Sequence, residues 1–215
     1  MSALRLAEQR GEVIDIARRM TSDRLVVGTS GNVSVRSGDL VAVTPSGVEY
    51  DELRPVDIPL VDLSGEVVEG ELKPTSELPM HLTAYVEHDA GAVVHTHSLH
   101  ATALSLLRDE VPAVHYQLAD YGGAVRVADY ATFGTDALAV SMSEALRDRN
   151  GCILRNHGTV TVGGSLTKAY NRARQLVWLC ELWLTAAKLG DPAVLSDQEL
   201  AHCATLFAGY GQSVR

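Results

Sequence analysis

The sequence predicts an α/β fold: a single three-layer domain with a central, mostly antiparallel sheet flanked by helices. Helix-spaced and strand-like runs alternate along all 215 residues. No linker, internal repeat or low-complexity segment separates them. Hydrophobic residues make up 46% of the chain, enough for one substantial core. The length fits one large domain better than two small ones, so residues 1–215 read as one unit.

The elements follow in order. Leu4 to Met20 carries apolar residues at helical spacing, at Leu6, Val13, Ile14 and Ala17. The small-residue run Gly28-Thr29-Ser30-Gly31-Asn32 is a loop before an alternating strand, Val33 to Val35. Leu40 to Val43 is a second strand, ended by the turn Thr44-Pro45-Ser46-Gly47. Ile58 to Leu63 and Glu66 to Val68 flank Ser64-Gly65 as a hairpin. Pro74-Thr75-Ser76-Glu77 predicts a helix start, with hydroxyl residues at the cap and an acid in the first turn, running to Glu87. Gly91 to Thr96 is an apolar strand, Ser98 to Leu107 a helix, and Val125 to Val127 a short strand. Thr135 to Arg149 is a helix ended by Asn150-Gly151. Strands Cys152 to Leu154 and Thr159 to Val162 flank the turn Arg155 to Gly158. Leu166 to Leu189 is a long helix stopped by Gly190 and Pro192, and Ser196 to Glu199 is a capping box for a final helix. The alternation fits a three-layer or mixed α/β arrangement.

Charge and cysteine content narrow the function. The net charge is −9 and there is no basic block, so nucleic acid is not an expected partner. Met1 to Arg10 is charged and lacks an apolar segment of the kind that directs secretion. No apolar stretch reaches transmembrane length, so no membrane association is expected. Cys152, Cys180 and Cys203 are scattered and odd in number, which suits a reducing cytoplasm, and the first two read as inert core residues.

The chemistry concentrates in Val93-Val94-His95-Thr96-His97-Ser98. Residues two apart on a strand share a face, so His95 and His97 aim at one point. A third histidine follows another apolar strand, at Asn156-His157-Gly158, and Glu77 precedes the pair as fourth ligand or base. Imidazoles with a carboxylate or an open position make a catalytic zinc site. His81 lies one helical turn from Glu77 and is either a fourth imidazole or a supporting or core residue. Three small turns, containing Thr29 and Asn32, Ser46 and Gly47, and Thr75 and Ser76, could form an anion cradle from hydroxyls and backbone N–H groups. Tyr116, Tyr121, Tyr130 and Tyr210 are the candidate acids.

The runs Gly28 to Ser34, Thr44 to Gly47, Lys73 to Glu77, His95 to Ser98, Tyr130 to Thr135 and Asn156 to Gly158 together give the chain a family likeness. In order and spacing it resembles the class II sugar-phosphate aldolase/epimerase family, most closely its L-fuculose-1-phosphate aldolase branch, over nearly its whole length. The resemblance implies one zinc ion per subunit on His95, His97 and His157, with Glu77 bound at rest. It implies substrate phosphate held by Thr29, Asn32, Ser46, Gly47, Thr75 and Ser76. Tyr116 matches an acid contributed by a neighbouring subunit, Phe133 an aldehyde-pocket wall also from the neighbour, and Tyr210 a mobile tyrosine that closes over the site. It further implies a C4 homotetramer with active sites between subunits. The expected reaction is reversible retro-aldol cleavage of a ketose 1-phosphate to dihydroxyacetone phosphate and a small aldehyde such as L-lactaldehyde. A lysine Schiff base is disfavoured, since Lys168 and Lys188 fall in the long helix and Lys73 has no apolar setting. The alternatives are a pentulose-phosphate 4-epimerase, a related dehydratase or decarboxylase, or a catalytically silent zinc- and phosphate-ester-binding protein. Glu77 favours the aldolase, because the epimerase branch usually carries aspartate there.

Overall fold

The computed structural model describes residues 4–207. Helix α1 (Ala7–Ser22) leads into strands β1 (Asn32–Ser37) and β2 (Leu40–Val43). The hairpin β3 (Leu60–Asp62) and β4 (Val67–Glu69) follows, then α2 (Leu78–Glu87), β5 (Ala92–Thr96) and α3 (Leu99–Ser105). After β6 (Val127–Ala128) and α4 (Asp136–Leu146), the pair β7 (Gly151–Leu154) and β8 (Gly158–Gly163) precedes the long α5 (Leu166–Ala187) and α6 (Asp197–Phe207). One 8-stranded sheet runs in the order β4-β3-β2-β1-β5-β8-β7-β6. Its pairings are antiparallel except for the parallel pair β6–β7. The expected three layers and mostly antiparallel sheet are therefore present.

Strand alternation sorts the core into two faces. Ala92 and Val94 of β5 pack with Val13, Ala17 and Met20 of α1 and with Ala169, Tyr170 and Ala173 of α5. Val93, between them, packs with Met80 and Ala84 of α2 and Met142 and Leu146 of α4 on the opposite face. A third cluster joins α3, α5 and α6 over Ile153, with Trp183 in it. His95 has the parity of Val93, so it faces the α2 side.

Several boundaries shift by one to three residues from expectation, and two of the shifts have a visible cause. Helix α2 starts at Leu78, not at Thr75, with Glu77 at its N-cap. The Thr75 N–H is already bonded to the Thr44 carbonyl at 3.0 Å, and Pro45 and Pro74 form a β-bridge. That extended pairing holds 73–75 out of the helix. Helix α4 ends at Leu146, ahead of the Asn150-Gly151 stop. There the Arg126 guanidinium donates to the carbonyls of Ala145 at 3.1 Å and Arg147 at 2.8 Å, satisfying the helix end, and Gly151 instead opens β7. The Ser196–Glu199 capping box is formed, with the Ser196 N–H donating to Glu199 Oε2 at 2.7 Å and the Glu199 N–H to Ser196 Oγ at 3.3 Å.

Gly158 is where the β7–β8 turn meets the end of β5. A Cβ there would sit 2.0 Å from the Thr96 carbonyl oxygen and 3.3 Å from His97 Cα, both backbone. Only glycine lets the two strands approach this closely. Gly158→Ala is expected to cost about 2 kcal/mol or more through overpacking that cannot relax. Urea denaturation checks it; an unchanged midpoint would show that the turn yields freely.

Candidate functional site

The centre of the sheet sets the site. His95 on β5 lies opposite Asn32 on β1 and Val160 on β8. His97 follows just beyond the strand, where its N–H donates to the Leu25 carbonyl at 3.0 Å. His157 arrives from the β7–β8 turn, which is made by Asn156 at φ 58° and closed by the His157 N–H on the Leu154 carbonyl at 3.1 Å. Asn tolerates this left-handed backbone better than most residues. Glu77, at the start of α2, reaches down onto the same face.

The four side chains converge. Glu77 Oε2 is 3.1 Å from His95 Nε2, and Glu77 Oε1 is 3.3 Å from His157 Nε2. His97 Nε2 is 2.8 Å from His95 Nε2 and 3.1 Å from His157 Nε2. The candidate ligand atoms all lie within 4.8 Å of one another. The three rings stand nearly perpendicular, at 76° to 85°. His95 Nδ1 is 2.9 Å from the Thr159 carbonyl. A carbonyl only accepts, so Nδ1 carries the proton and Nε2 is turned to the centre, as in metal-ligating histidines.

Electrostatics suit a cation. Burial pushes the His97 pKa down to about 3 and that of His157 down to about 4, with neighbouring His95 adding to both. Burial pushes Glu77 up, but the imidazoles of His95 and His157 and the hydrogen bond from Asn32 outweigh it and hold the carboxyl below its usual range. The centre thus gathers an ionised carboxylate with His97 and His157 held neutral. Glu77 Oε1 is buried and has no hydrogen-bond partner. Its 3.3 Å approach to His157 Nε2 is close enough for an ion pair but does not make a hydrogen bond. Nitrogen and oxygen atoms packed this tightly need positive charge between them, and three imidazoles with a carboxylate are donors that zinc accepts.

Glu77 is held from behind. Asn32 Nδ2 donates to Glu77 Oε2 at 2.8 Å, and Asn32 Oδ1 is 2.5 Å from His81 Nε2. His81 Nδ1 is 2.6 Å from Ser34 Oγ, which is 2.5 Å from the Tyr85 hydroxyl. His81 is fully buried, and burial lowers its pKa to about 3. It supports the site and is not a fourth imidazole. Asn32, expected at the phosphate, has its side chain bonded to Glu77 and His81.

A cavity of about 530 Å³ opens above the centre, lined by Glu77, His97 and His157. Thr29, Asn32, Ser46, Gly47, Thr75 and Ser76 line it too, so the three cradle turns do come together. The Ser46 N–H donates to the Lys73 carbonyl at 3.0 Å, and the Tyr50 hydroxyl donates to the Gly31 carbonyl from beneath. Gly134 packs against the Ser76 carbonyl, where a Cβ would sit at 3.0 Å, and this brings Phe133 to the cavity. Phe133 thus lines the cavity of its own chain. Tyr130 and Asn156 also line it. Tyr130 was one tyrosine among several in the sequence, and the αL turn that presents Asn156 has no signal beyond Asn-His-Gly.

The other tyrosines are elsewhere. Tyr121 is core, its hydroxyl donating to the Arg172 carbonyl at 2.6 Å. Tyr116 sits away from this cavity, half-exposed, with its ring 6.1 Å from that of Phe207. Tyr210 lies outside the described residues. Among the described residues, no helix is long and apolar enough to cross a membrane.

Residues 11–184 match the family described as Class II Aldolase and Adducin N-terminal domain. The chain is 40% identical over 210 residues to a 5-deoxy-D-ribulose 1-phosphate aldolase of Bacillus thuringiensis serovar kurstaki, covering 96% of this chain and 99% of that protein. It is 41% identical over 203 residues to an L-fuculose phosphate aldolase of Escherichia coli, covering 93% and 94%. A solved L-fuculose 1-phosphate aldolase superposes with a TM-score of 0.93 at 37% identity, over 97% of this chain and 100% of that one.

The burial of His81 fixes the sign of a pH effect. Its pKa is about 3 in the fold against 6.5 when unfolded, so between these values the unfolded chain binds more protons. Stability therefore falls as pH drops from 6.5 towards 3, with a limiting slope of about 1.4 kcal/mol per pH unit for this group. Urea midpoints of metal-free protein at pH 7 and pH 5 are expected to show that loss, and His81→Gln is expected to diminish it. An identical pH dependence in the variant would contradict neutral burial.

Proposed function

The chain belongs to the class II aldolase and adducin family, and from that premise we propose that it cleaves the C3–C4 bond of a deoxyketose 1-phosphate, reversibly, to dihydroxyacetone phosphate and a small methyl-bearing aldehyde. It is a metal-dependent aldolase. One observation carries the substrate reading. The Glu77–His95–His97–His157 centre and the hydroxyl-rich turns open into a single cavity that also holds an apolar wall, Ala131 and Phe133.

His95, His97 and His157 would hold zinc, one ion per subunit, with Glu77 as fourth ligand. The metal when bound supplies Lewis-acid polarisation of the substrate's C2 carbonyl. Thr29, Ser46, Thr75 and Ser76 offer hydroxyls, and Gly47 a backbone N–H, to the phosphate. Among the described residues the cavity lining contains no Lys or Arg, and neutral donors carry this contact. Asn32 orients Glu77. After the C3–C4 bond breaks, Glu77 returns a proton to C3; in synthesis it removes one. Phe133 and Ala131 face the aldehyde end. Both relatives are named for deoxyketose phosphates, which end in a methyl group that such a wall accommodates.

Tyr116 cannot serve its own cavity from where it lies. Its role as acid at the aldehyde oxygen is assigned to the cavity of a neighbouring subunit, in a C4 homotetramer with sites between subunits. Tyr210 is assigned to closure over the site. A cytoplasmic location fits the free cysteines.

NMR of zinc-loaded protein with L-fuculose 1-phosphate and with 5-deoxyribulose 1-phosphate tests the reading. Dihydroxyacetone phosphate with lactaldehyde or acetaldehyde is expected, and chelation should abolish it. C4 inversion of L-ribulose 5-phosphate without cleavage would make the protein an epimerase, and binding without turnover a silent phosphate-ester binder. Glu77→Gln is expected to keep zinc yet lose at least ~10²-fold in rate, the usual lower scale for a missing general base. Wild-type turnover in that variant would remove Glu77 from the proton path.

A further inference from the structure

Behind Glu77 runs a buried chain of polar side chains that no step of the reaction touches. It passes from Glu77 through Asn32, His81 and Ser34 to Tyr85, with successive contacts of 2.8, 2.5, 2.6 and 2.5 Å. Ser34, His81 and Tyr85 are each at most 1% exposed, and Asn32 is 4% exposed. Burying so many polar groups is costly unless every donor meets an acceptor.

The chemistry of the groups dictates one direction. An ionised carboxylate only accepts, so the Asn32 amide must turn its NH₂ to Glu77. Its carbonyl oxygen then faces His81 Nε2, which must carry the ring proton. The neutral ring has one proton, so Nδ1 accepts, and Ser34 Oγ–H must donate to it. The Ser34 oxygen is left to accept from Tyr85 O–H. Every donor in the row points towards the carboxylate.

We propose that His81 is a positioning residue for the reaction: through this one-way chain it fixes the Asn32 amide, which holds Glu77 Oε2 and leaves Oε1 free to face the histidine centre. The inference rests on the role of Glu77 proposed above. Glu77 must leave the resting centre and carry a proton at C3, and a carboxylate gripped by one oxygen keeps a defined place while the other works. Reversal of the Asn32 amide would put its carbonyl oxygen against the carboxylate and drive Glu77 away.

The test pairs two buried amides of like polarity. His81→Gln can keep a donor where Nε2 stands, whereas His81→Asn reaches only the Nδ1 side. The readout is exchange of the C3 proton of dihydroxyacetone phosphate with D₂O, without aldehyde, followed by ¹H NMR on zinc-loaded protein. Exchange in His81→Asn is expected to fall at least ~10-fold with KM for the ketose phosphate little changed, while His81→Gln stays within about 3-fold of wild type, the scale seen when a supporting hydrogen bond is lost or kept. Equal exchange in all three proteins, or equal loss in both variants, would overturn the proposal. A second measurement needs neither variant nor metal. Long-range ¹H–¹⁵N spectra of the metal-free protein should show His81 as the Nε2–H tautomer, and the Nδ1–H tautomer would overturn the chain's direction. If wild type itself fails to exchange the C3 proton, the proposed function falls, and the tautomer then decides the hydrogen-bond chain on its own.

Discussion

The site depends on β5 being paired on both sides. The backbone ladder fixes Asn32 of β1 and Val160 of β8 opposite His95. A one-residue slip on either side would turn the neighbouring side chains to the wrong face. The same pairing brings Gly158 against the Thr96 carbonyl, and this places His157 within reach of His97. The centre is thus a by-product of strand register, which loops alone could not set.

Helix α2 supplies the second constraint. It covers the face to which His95 points, and its first residues carry Glu77 into a largely dry place. A lone carboxylate there would be driven to its neutral form. The histidines and the Asn32 amide reverse that tendency, so the charge is retained where it is needed. The cradle is built differently. Its hydroxyls sit on turns tied by backbone hydrogen bonds at Thr44, Ser46 and Thr75, which set their positions before any ligand arrives.

Much of this was legible beforehand. The two-residue spacing of His95 and His97 needs only strand geometry, and the buried apolar run around them announces a central strand. The cradle turns are visible as glycine and hydroxyl clusters, although their meeting is a tertiary fact. What resisted reading was partnership. Nothing local distinguishes an Asn32 that binds a ligand from one that binds Glu77, nor a His81 that coordinates from one that donates to an amide. The late start of α2 came from the Pro45–Pro74 bridge, a contact between segments far apart in sequence. The place of Phe133 at its own chain's cavity follows from the packing of Gly134 on Ser76, which residue types alone do not carry.

The four metal-facing side chains come from positions 77, 95, 97 and 157, on segments that meet only when the sheet is complete. An ion gripped by all of them is a cross-link that ties the start of α2 to the far end of the sheet and closes the chain between them. The unfolded polypeptide offers no such assembled grip. Metal concentration is therefore coupled by mass action to the folded population, and metal scarcity would be felt as shortened protein lifetime as well as lost chemistry.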